Sequence, residues 1–81
     1  MISCASHDYV EIACLYGFVV KLVFRNGKVV QGKALQTTVN QNKEECIVLE
    51  TQRGDEKIVL EYVASMEAIT KNPHFEHIDF R

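Results

Sequence analysis

The sequence has no apolar run approaching the roughly 18 residues that a membrane-spanning helix requires, so a helical membrane protein is not expected. Its start, Met1-Ile-Ser-Cys4, shows neither a basic region nor a long apolar stretch. No secretory signal is therefore expected, and the default compartment is the cytoplasm. Basic charge is not in excess: nine Lys and Arg face eleven Asp and Glu, giving a formal net charge of −2. The usual electrostatic footprint of a nucleic-acid-binding domain is missing. The four glycines are isolated, which leaves no Gly-rich phosphate loop. The three cysteines, Cys4, Cys14 and Cys46, include no Cys-x-x-Cys pair, and the histidines (His7 near the start, His74 and His77 in the tail) do not complete a four-ligand zinc set. In a reducing compartment the thiols read as small packed apolar groups. Cys4 and Cys14 flank a helical segment and are the pair that oxidation would join.

What is present is enough for one small packed domain. The chain has 81 residues, 47% of them hydrophobic, which suits a single modest core and argues against disorder. Ser6 reads as an N-cap whose hydroxyl accepts from an orphan backbone N–H. Asp8 and Glu11 fall in the first turns, where negative charge complements the helix dipole. Val10, Ala13 and Cys14 share the inner stripe, with Ile12 at its edge. Gly17 is placed to end the helix with a positive φ. A helix this short is unstable alone and must dock on the body.

From Phe18 the period changes from 3.6 to 2. Phe18, Val20, Leu22 and Phe24 form one face, and Val19, Lys21, Val23 and Arg25 the other. Asn26-Gly27 predicts a type I′ hairpin turn. A second strand follows over about 28–38, with Gly32 marking a bulge or sharp bend. Asn40-Gln41-Asn42-Lys43 reads as a polar loop. Glu45–Thr51 (ECIVLET) is a strand buried on both faces. A turn at Arg53-Gly54-Asp55 leads to a fourth strand at about 56–60, and a fifth runs over about 64–69. Asn72-Pro73 ends regular structure. The tail, with Phe75, Ile78 and Phe80, either docks on the body or is partly disordered. The expectation is one mostly-β domain over 1–81 with one N-terminal α-helix: helix at about 6–16, a small five-stranded Sm-like (SH3-like) barrel at about 18–69, and a tail at about 70–81. Barrel closure would remove the exposed sheet edges. An OB-fold competes less well, because its helix sits between the third and fourth strands.

Catalytic chemistry is not expected. Asp8 and Glu11 are two carboxylates on one helix face, which acid–base chemistry tolerates, but a solvated pair that complements the dipole is the simpler reading. Cys14 with a histidine would make a nucleophile pair, yet Cys14 lies on the stripe that faces the body, where thiols are inert. His7, next to the cap, is expected to be exposed. Arg53-Gly54-Asp55 is a turn rather than an adhesion motif. An RNA-binding barrel needs aromatic platforms beside basic residues. Here Phe18 and Phe24 belong to the core face, and the lysines are interspersed with acids.

The block Cys4-Ala-Ser-His-Asp8-Tyr-Val-Glu11-Ile-Ala-Cys14 resembles the Rof (YaeO) family, bacterial inhibitors of Rho-dependent transcription termination. The similarity extends through the following strand, the Asn26-Gly27 turn, the small-residue region at Lys33-Ala34, the strand end at Glu50 and the stretch Leu60 to Ser65. The tail after Ile69 lies outside it. The resemblance implies a Sm-like barrel with an N-terminal helix that acts as an antiterminator. It would bind the hexameric RNA helicase Rho and block RNA access to the primary RNA-binding site. Asp8 and Glu11 match the family's acidic helix positions, and His7 stands where the family has a tyrosine. Asn40, Gln41, Asn42 and Lys43 occupy the family's contact loop, which reads one residue longer here. The implied partner is Rho, with no cofactor, no metal, no direct nucleic acid and no membrane, and the chain is expected to be a monomer. The alternative reading is a Sm-like module that binds RNA or oligomerises, motivated by Lys33, Lys43 and Tyr62.

Overall fold

The structure, a computed structural model, describes residues 4–80. Helix α1 (Cys4–Tyr16) is followed by strands β1 (Val19–Phe24), β2 (Val29–Val39), β3 (Glu45–Thr51) and β4 (Gly54–Val59). A 3-10 turn at Leu60–Tyr62 leads to β5 (Val63–Ala68), and the tail adds β6 (His77–Asp79). All pairings are antiparallel, in the order β4-β3-β2-β1-β5-β6. No helix among the described residues is long and apolar enough to cross a membrane.

The mostly-β class with one N-terminal helix holds, but the sheet has six strands and is not closed. The tail is the reason. β6 takes the free side of β5, so among the described residues no ladder joins β5 to β4. The sheet still curls strongly. β4 and β5 are four strand spacings apart in the order, which is about 19 Å if the sheet were flat. Leu60–Tyr62 alone joins them, and four Cα steps reach at most about 14 Å. The Arg25 N–H donates to the Tyr62 carbonyl (2.9 Å), holding the curl beside the first hairpin.

Inside the curl, Val10 and Ala13 of α1 meet Val20, Leu22, Ile47, Leu49, Val63 and Met66, all fully buried. Cys46 to Leu49 are buried on both faces of β3, as the unbroken apolar run predicts. α1 ends as Gly17 predicts: φ is +65 there, the Gly17 N–H reaches the Cys14 carbonyl at 3.3 Å, and the Phe18 N–H reaches the Ala13 carbonyl at 2.9 Å. This paired arrangement is a Schellman motif.

Three local expectations change. Ser6 is not the cap; it lies inside α1, is buried, and its Oγ donates to the Asp79 carbonyl at 3.4 Å. The Asn26-Gly27 turn is not type I′, since only Gly27 of the pair has a positive φ. Instead a three-residue loop is closed by the Phe24 N–H on the Lys28 carbonyl (2.8 Å), a common alternative with glycine in the left-handed position. The bulge in β2 lies at Leu35, between Ala34↔Leu49 and Gln36↔Val48, not at Gly32. Gly32 serves close approach instead. A Cβ there would stand 2.5 Å from the Glu50 carbonyl oxygen and 3.1 Å from its carbon, both backbone. Gly32→Ala is therefore expected to cost about 1–3 kcal/mol through strand displacement, measured as a lower urea midpoint; an unchanged midpoint would mean that β2 and β3 separate freely.

Candidate functional site

α1 turns its acids outward. At 100° per residue, Ser6, Val10 and Ala13 fall on one side and Asp8, Glu11 and Leu15 on the other. The burial follows: the first three are buried and the last three exposed. Asp8 makes no ion pair among the described residues.

His7 sits on the flank between these faces and is not simply exposed. Its Nδ1 lies 3.2 Å from Glu11 Oε1, and its Nε2 lies 2.8 Å from Glu45 Oε2. Glu45 opens β3 directly after the polar loop. This bridge therefore sets the acidic face of α1 beside the root of that loop and adds Glu45 to the surface. The sequence holds Glu45 in plain view within Glu44-Glu45, but its meeting with His7 is a contact across 38 positions that no local pattern reveals.

Within the loop, Asn40 has a structural task. Its Oδ1 accepts from the N–H groups of Asn42 (2.9 Å) and Glu44 (3.0 Å), and its Nδ2 donates to Glu44 Oε1 (3.0 Å). The Asn40 N–H and the Glu44 carbonyl close the loop at 3.1 Å. Lys43 adopts φ 63, the left-handed region that a lysine rarely occupies. Gln41, Asn42 and Lys43 are exposed at the tip. The predicted residues thus form a helix face (Asp8, Glu11), a bridge (His7 with Glu45) and a braced loop tip.

Cys14 is half-buried, and burial, with the Glu11 carboxylate as a lesser cause, pushes its thiol up to about 11. It stays protonated near neutrality, so it is a poor nucleophile. Cys46 is buried, and the Cys4 side chain lies outside the described residues, as does any disulfide it would form. An open groove of about 790 Å³ along Val29–Lys33 and Glu50–Arg53 includes none of the predicted site residues.

Over residues 1–80 the sequence matches the family described as modulator of Rho-dependent transcription termination (ROF). No curated protein matches the chain. Among solved structures, the fold is similar to that of YaeO bound to magnesium from Vibrio cholerae O395. The TM-score is 0.87 at 39% identity, over 91% of this chain and 96% of that one.

Proposed function

Because this chain belongs to the ROF family of modulators of Rho-dependent transcription termination, we propose that it binds the termination factor Rho directly and blocks RNA access to Rho's primary RNA-binding site. The observation that carries this reading is the single acidic surface formed by Asp8 and Glu11 on α1 and Glu45 at the loop root, joined through His7. A site built to hold RNA presents Arg and Lys to phosphates. Carboxylates fixed on a docked helix satisfy those cations through charge-assisted hydrogen bonds and steer the encounter in a salt-dependent way. The exposed loop tip, Gln41 to Lys43, adds polar contacts at the edge of that surface. An acidic stand-in for RNA needs no basic patch of its own, so direct nucleic-acid binding is not part of the proposal. The chain acts as a monomer in the cytoplasm and as a regulator, in keeping with a family described as a modulator.

The related Vibrio structure is described as bound to magnesium. Among the described residues of this chain, no group of three or more His, Cys, Asp or Glu side chains is placed to hold a metal, and no metal enters the proposal.

The test is a titration of purified Rho carrying a labelled oligo-RNA. The chain is expected to bind Rho and release the RNA, with affinity falling as salt rises. Binding that leaves the RNA in place would overturn the blocking mechanism while keeping Rho as partner.

A further inference from the structure

The outward face of α1 does not stop at its acids. Leu15 follows Glu11 by four residues and Asp8 by seven, so it lies two turns beyond Asp8, about 10 Å along the same face. It is 75% exposed, the most exposed large apolar side chain described. Tyr16 beside it is 58% exposed and belongs to a three-ring cluster in which His74 and Phe18 also meet, 6.3 Å apart. Its centroid lies 5.3 Å from His74 at an interplanar angle of 16°, and 5.6 Å from Phe18 at 21°. Phe18 is buried, so the exposed pair rests on a fixed base. A single exposed leucine needs no explanation. A leucine and a braced ring stack, continuous with an acidic stripe, make a composite surface, and aromatic groups held rigid are good anchors.

We infer that Leu15 and the Tyr16–His74 stack form the apolar half of the same Rho-binding surface and occupy the place where RNA bases stack. The inference rests on the Rho-binding reading above. Sites for single-stranded RNA combine cations that follow the backbone with flat apolar surfaces for bases. A protein that imitates RNA must present both chemistries in one rigid body; here Leu15 continues the acidic face of α1, and Tyr16, about 100° round the helix, pairs with His74 of the tail on the adjoining flank. The carboxylates stand for phosphates, and the ring stack stands for bases.

The test uses the full chain against purified Rho hexamer at several salt concentrations, with Leu15→Ser, Tyr16→Ser and Tyr16→Phe. Leu15→Ser and Tyr16→Ser are expected to weaken binding roughly ten- to hundredfold, the range of a lost base-like stack. They should leave the slope of affinity against salt as in the parent chain. Tyr16→Phe keeps the ring and should bind like the parent. Glu11→Gln is the contrast, since it should lower the slope. Leu15 is so exposed that its replacement should not alter the melting curve; if Tyr16→Ser does, the Leu15 variant decides. Parent-like binding by Leu15→Ser overturns the inference and leaves the Rho reading standing. Failure of the parent chain to bind Rho removes both. A dimer in light scattering that Leu15→Ser makes monomeric would assign the patch to self-association and equally overturn the inference.

Discussion

Glu11→Lys is expected to weaken binding to Rho by about two to three orders of magnitude while leaving the fold intact. Two effects add. The carboxylate's charge-assisted hydrogen bond, worth about 1.5–3 kcal/mol, is lost, and a cation is placed against cations, which costs about 1.5–2 kcal/mol more at a contact that stays partly wet. Each 1.4 kcal/mol is about tenfold, so a total of roughly 3–5 kcal/mol gives the stated range. The fold should survive because the Glu11 side chain is 57% exposed and its contact among the described residues is with His7, which keeps Glu45. An exposed pair of this kind contributes roughly 0–1 kcal/mol. Asp8→Lys should behave alike, with even less effect on the fold. Titration with Rho and a thermal melt measure the two halves. Both reversals binding like the parent chain would place the interface elsewhere on the molecule.

The residues behind that prediction were legible because amphipathic spacing is a local property. Asp8 and Glu11 had to face out once Val10 and Ala13 faced in. β3 was legible for a related reason: four consecutive apolar residues, Cys46 to Leu49, fit only a strand covered on both faces. The departures share a different cause. Ser6 looks like a cap from its neighbours, yet its hydroxyl is used by a partner 73 positions away. Asn26-Gly27 and Asn40–Lys43 both make three-residue loops with their last residue left-handed. At Lys43 no glycine announces it, and the Asn40 side chain supplies the organising hydrogen bonds instead. Gly32 announces a special position correctly, but the requirement is the nearness of Glu50 on the neighbouring strand, while the bulge falls at Leu35. The His7–Glu45 bridge, which joins the two parts of the candidate site, is likewise non-local. β6 is three residues long and follows Asn72-Pro73, so neither its length nor its context marks a strand.

That short strand leads to the largest expected effect on stability. Phe80→Ala should lower the unfolding free energy by roughly 3–5 kcal/mol, the range for truncating a buried phenylalanine. A domain of this size has about 4–12 kcal/mol in total. Phe80 is 1% exposed. It is held by its own N–H on the carbonyl of Ala64, 2.9 Å away, the extra residue of the irregularity between β1 and β5. The chain before it clamps α1. Asp79 accepts from Ser6, and Phe75 meets the Tyr9 ring edge-on at 5.5 Å. Melting should therefore fall by at least about 12 °C, taking 4 °C per kcal/mol as the lower bound for so small a domain. Because Ser6 and Tyr9 lie on either side of Asp8 in sequence, the same clamp fixes where the acidic face points. Rho binding by Phe80→Ala should fail at temperatures where the parent chain still binds. A melting temperature within about 3 °C of the parent would mean that the tail is an appendage, and that Val10 and Ala13 alone hold the helix in place.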